Sequence, residues 1–106
     1  MTLLNLTPHE INLCGTKIAA SGKEARVAVT RAIVETAEIC GMFVLIGTDT
    51  VGEVTGLPEP VEGVGYIVSL MVRKALPQRK DIYSPADYMR DSGGKIIGCG
   101  SFDRNL

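Results

Sequence analysis

Little in this sequence points toward a polyanion or a membrane surface. Eleven Lys and Arg stand against twelve Asp and Glu, a formal net charge of −1, so no field of one sign is available to hold nucleic acid or anionic lipid non-specifically. Neither partner is expected. Cysteine is scarce and unpatterned: Cys14, Cys40 and Cys99 lie far apart, with no CxxC or Cys/His spacing of a zinc site. They read as reduced thiols in the core, with no metal and no cofactor. Long apolar runs are missing as well. MTLLNLTPHE lacks the basic start and apolar stretch of a signal peptide, and no run approaches the roughly 20 residues of a membrane span. A cytoplasmic compartment is the expectation. His9 is the only histidine, no serine or cysteine can be paired with it from sequence, and no catalytic residue is expected.

What is present suits one folded domain over residues 1–106. Hydrophobic residues make up 45% of the chain and charged residues 22%, which argues against global disorder. Turn signals arrive every few residues. Leu3 to Leu6 reads as a first strand bent by Thr7-Pro8, followed by short strands over Glu10–Leu13 and Thr16–Ala20. Glu24–Ile39 alternates like a strand but also holds helix formers; two strands with a bend are expected there. Met42–Ile46 is a strand ending at Gly47, and Thr48–Thr55 another. Gly56-Leu57-Pro58-Glu59-Pro60 is a rigid extended connection. Tyr66–Val68 hands over to one helical turn capped by Ser69 and stopped by Pro77. A polar loop follows up to Pro85, then an irregular or briefly helical Ala86–Arg90, a tight reversal at Asp91-Ser92-Gly93-Gly94, and a last strand over Lys95–Cys99 before a polar tail. The fold class is mainly β (α+β): a small curled or barrel-like antiparallel sheet with one short helix.

Two constellations carry the chemistry. Arg79, Lys80, Asp81 and Tyr83 place a planar cation, a flexible cation, a carboxylate and an aromatic ring in the loop 78–84, a set able to grip phosphate, bond a ribose and stack on a base. The competing reading is a surface loop in which Arg79 and Asp81 pair with each other. Arg73 and Arg90 are further candidate cations, each with a solvated face as the equal competing reading. His9 follows Pro8 in a bend, where an imidazole can serve as acid, base or phosphate donor; against this stands a histidine that only satisfies local backbone groups in a Thr-Pro-His turn. The glycines near Lys95 do not make a phosphate loop, because the Gly-x4-Gly-Lys spacing is absent. Glu35, Glu38, Asp49 and Glu53 have no partner at metal spacing and read as solvated.

Asn5-Leu6-Thr7-Pro8-His9, Gly56-Leu57-Pro58-Glu59-Pro60, Tyr66-Ile67-Val68-Ser69, Ala75-Leu76-Pro77, Arg79 with Asp81, and Arg90-Asp91 followed by Gly94-Lys95-Ile96-Ile97-Gly98-Cys99 resemble, in order, the motifs of a family of short phage and prophage proteins with an N-terminal Asn-Leu-Thr-Pro-His. The segment between Glu24 and Thr50 lies outside the shared motifs. Small phage proteins of this style include anti-defence factors, some of them homo-oligomeric sponges for nucleotide signals of bacterial immunity. By that analogy the resemblance implies a non-enzymatic binding protein of the host cytoplasm. It would sequester a small anionic, nucleotide-like ligand as a homo-oligomer, and the residue chemistry of the loop and the bend nominates Arg79, Lys80, Asp81, Tyr83, His9 and Arg90 as the ligand-binding residues. The alternative is a protein-interaction inhibitor module acting on a host or phage protein.

Overall fold

A computed structural model describes all 106 residues. Strands β1 (Thr2–Asn5), β2 (Ile11–Leu13), β3 (Thr16–Ile18), β4 (Arg26–Ile39), β5 (Met42–Thr55) and β6 (Val64–Ile67) precede helix α1 (Leu70–Ala75), and β7 (Ile82–Arg90) and β8 (Ile96–Arg104) close the chain. Six strands form one sheet in the order β1-β6-β7-β8-β2-β3. It is mixed: β1, β6 and β7 run parallel, β7 and β8 antiparallel, and β2 joins β8 in parallel. The two outer strands nearly meet, through a bridge between Asn5 and Ala20 and a hydrogen bond from the Ser21 amide to the Asn5 carbonyl at 3.0 Å. The protein is therefore mainly β, with a nearly closed barrel-like sheet and one short helix, as the sequence led us to expect. No helix is long and apolar enough to cross a membrane.

The core is small. Leu6, Ala25, Tyr66, Val68, Val72 and Ile82 form its buried cluster, with Val27, Val54, Leu57, Val64 and Leu76 packed against it. None of the buried residues lies in β4 or β5, which pair only with each other as an arm leaving the barrel. Fourteen residues per strand at about 3.3 Å each give an arm roughly 45 Å long. Its projection explains a radius of gyration of 17.3 Å, where a compact chain of this length has about 13 Å.

Several sequence expectations are corrected. Glu24–Ile39 is one strand, not two; the bend is a register shift between Ile33 and Glu35 that leaves Val34 as the extra residue. Gly47 does not end a strand, because β5 runs on through it; the missing side chain leaves room for Arg31, whose Nε lies 2.6 Å from where a Cβ would stand. Residues 82–90 are neither loop nor helix but β7. Pro85 is tolerated there because β6 pairs only with Ile82 and Tyr83, so beyond Tyr83 the strand has a free side for a residue with no amide donor. β8 extends through the expected tail to Arg104. Only Cys99 is buried, where burial, with Cys14 adding to it, pushes its thiol pKa up. Cys14 and Cys40 are exposed, and Cys40-Gly41, both at positive φ, make the two-residue turn at the arm's tip.

Candidate functional site

Asn5 organises the bend that carries the histidine. Its side chain is buried and fully satisfied. Nδ2 donates to the carbonyls of His9 at 2.8 Å and Ile18 at 3.2 Å, while Oδ1 accepts from the Thr7 amide at 3.0 Å and the Thr7 hydroxyl at 2.6 Å. The hydroxyl also reaches the His9 carbonyl at 3.1 Å. An amide with two donors and an acceptor oxygen can serve four partners at once, and here it locks the chain reversal at Pro8 to the end of β3. The His9 backbone is thereby fixed while its residue stays exposed.

This bend forms one wall of the largest cleft in the molecule, about 640 Å³. Lys17, Glu10 and Asn12 line the same side; Ser69 and Leu70 at the start of α1, and Tyr88, Ile96 and Ile97 from β7 and β8, line the rest. Two basic side chains, one exposed aromatic ring and several half-exposed apolar side chains thus share a cleft within the roughly 300–1,000 Å³ range of small-molecule sites. Ser69 is engaged, since its Oγ accepts from the Val72 amide at 3.3 Å as the cap of α1. No cluster of three or more His, Cys, Asp or Glu side chains comes together that could hold a metal ion.

The loop residues singled out in the sequence lie elsewhere and meet one another. The Arg79 guanidinium grips Asp81 with two hydrogen bonds, Nε to Oδ1 and Nη2 to Oδ2, each 2.8 Å, and Nη2 also donates to the Pro58 carbonyl at 3.0 Å. This hydrogen bonding holds the Asp81 carboxyl below the usual carboxylate range and raises the Arg79 pKa further. The pair fastens the Pro58 connection to the start of β7. Tyr83 packs its ring edge over Gly65, whose added Cβ would stand 2.8 Å from Cε2, and its hydroxyl faces the Met1 sulfur at 3.7 Å. Lys80 is exposed. Arg90 donates to the Gly94 carbonyl at 2.8 Å and so supports the hairpin turn. Arg73 is held by the Ser84 hydroxyl at 2.8 Å and by Asn105, whose Nδ2 also serves the carbonyls of Arg73, Leu76 and Arg79.

No family model, curated protein or solved structure matches the chain. Of the sequence candidates, only His9 lines the large cleft. Lys17 and Tyr88 were missed because nothing local marks them: the β2–β3 hairpin brings Lys17 beside Asn12, and the pairing of β2 with β8 and of β8 with β7 brings Tyr88 across.

Proposed function

We propose that the protein is a non-enzymatic binding protein of phage type that sequesters a small anionic, nucleotide-derived molecule, of the kind used as an immune signal, in a homo-oligomer. The cleft at His9 carries this reading. Its size suits a nucleotide; Lys17 and His9 offer donors to a phosphate, and Tyr88 offers an exposed ring against which a base can lie. Ser69 in the cleft is engaged as the cap of α1, which leaves it for binding contacts rather than as a free nucleophile. The site therefore centres on His9, Lys17 and Tyr88, with Arg79 and Asp81 holding the scaffold.

Mass spectrometry of small molecules released on denaturing the purified protein, followed by calorimetric titration with the molecule found, tests the proposal. Lys17→Ala and Tyr88→Ala should each weaken binding about tenfold or more with an unchanged fold, whereas Arg79→Ala should lower stability and leave binding intact. Protein that releases nothing and binds no member of a panel of mono-, di- and cyclic nucleotides would overturn it.

A further inference from the structure

The arm leaves an apolar face uncovered. Along β5, Phe43, Leu45, Gly47, Asp49 and Val51 alternate onto one face, and the ladder places Glu38, Thr36, Ile33, Arg31 and Val29 beside them. Its apolar members are between 44% and 82% exposed, Phe43 most of all. They leave roughly 500 Å² of apolar surface bare, and with the polar rows between them the face approaches the about 800 Å² that each partner of a standard interface buries. A two-stranded ribbon is marginal in water without such cover.

The base of the same face is concave. Val27, Val29, Pro8 and Met71 contribute to a groove of about 400 Å³, large enough for an aromatic side chain. Tip and groove thus sit at opposite ends of one surface, the arrangement that a two-fold exchange satisfies twice over. The charges agree. Arg31 lies directly across from Asp49 yet forms no ion pair with it; the chain's two salt bridges are Arg26–Glu24 and Arg79–Asp81. Glu38, near the tip, faces Phe43 and has no cation opposite. An antiparallel crossing that sets Phe43 of each arm at Val29 of the other places Arg31 beside Thr36, one ladder step of about 7 Å from Glu38, a diagonal that two long side chains can span.

We propose that the occupant is a second copy of this chain: two arms lie antiparallel, face on face, and Phe43 of each fills the groove between Val29, Pro8 and Met71 of the other. Thr7, Pro8 and Ser69 line both this groove and the His9 cleft, so the second copy's tip forms a wall beside the ligand site. The inference rests on the proposed homo-oligomer and not on the ligand.

Sedimentation and light scattering on the full chain test it. The wild type should be dimeric at about 10 μM, and Phe43→Ser should weaken association more than about tenfold without changing the circular dichroism spectrum. Arg31→Glu and Glu38→Arg should each weaken self-association, while an equimolar mixture of the two forms a heterodimer, because only between chains do their charges match. Should Arg31→Glu misfold, Phe43→Ser and Met71→Ser decide alone. A wild type monomeric at about 100 μM, a Phe43→Ser variant that associates normally, or folded single variants that gain nothing on mixing would overturn the proposal; the first would leave the arm to a different protein. A monomer that still releases a nucleotide sinks the arm exchange and spares the ligand reading, and a dimer that binds none does the reverse.

Discussion

Replacing Asn5 tests whether the bend at His9 is held from below. The amide makes four hydrogen bonds, none longer than 3.2 Å, from a residue only 1% exposed. Each is worth about 1 kcal/mol net, and a buried group left unpaired costs about 1–3 kcal/mol. In Asn5→Ala the Thr7 hydroxyl, released from Asn5 Oδ1, can donate to the His9 carbonyl, so the main losses are the Ile18 carbonyl and the Thr7 amide, plus a small cavity. We expect about 3–4 kcal/mol, a large share of the 5–15 kcal/mol typical of a domain. Asn5→Asp keeps the shape and both bonds from Thr7 but aims a carboxylate at two carbonyls, so near neutral pH it should cost at least as much. Urea unfolding followed by circular dichroism measures both variants. An Asn5→Ala variant within about 0.5 kcal/mol of wild type would refute the reasoning. So would Asn5→Asp proving markedly more stable than Asn5→Ala.

Two further predictions concern the scaffold. The Asp81 carboxyl is held below its ordinary pKa by Arg79, so the pair's contribution is present in full above the unfolded-state value near about pH 4 and is lost as pH falls through the lower folded value. The melting-temperature gap between wild type and Asp81→Asn should hold steady from neutral pH to about 5 and close below about 4; a gap that widens in acid would contradict the assignment. Gly41 and Gly56 both have positive φ, but a Cβ at Gly41 meets open space whereas one at Gly56 collides with the Glu24 carbonyl at the root of the arm. Gly41→Ala should therefore cost about 1 kcal/mol and Gly56→Ala several times more; equal costs in urea unfolding would show that backbone conformation alone decides.

Local chemistry was legible wherever a residue's partner is near in sequence. Ser69 capping α1, Pro77 beyond its end, the Asp91–Gly94 reversal and the β-rich alternation all depend on neighbours a few positions away. Expectations failed where a distant partner rewrites the local preference. Gly47 ends a strand only if nothing occupies its bare face, and Arg31 from the other strand does. Pro85 excludes a strand only if both sides need a donor, and the short span of β6 removes that need.

The candidate site was hidden for the same reason, since its members come from five separate stretches that the mixed sheet and the start of α1 bring together. Arg79 and Asp81 looked like a ligand grip in sequence because a planar cation and a carboxylate two residues apart have the chemistry of one. In three dimensions the same chemistry is used up internally, and a guanidinium bound on two nitrogens by its own carboxylate and again by the Pro58 carbonyl has little left to offer a phosphate. Binding there would first have to break the pair. The His9 cleft involves no such exchange: the Asn5 amide satisfies the backbone beneath it, and the side chains of His9, Lys17 and Tyr88 form no hydrogen bond or ion pair within the chain, so the proposed binding there would break no internal pair.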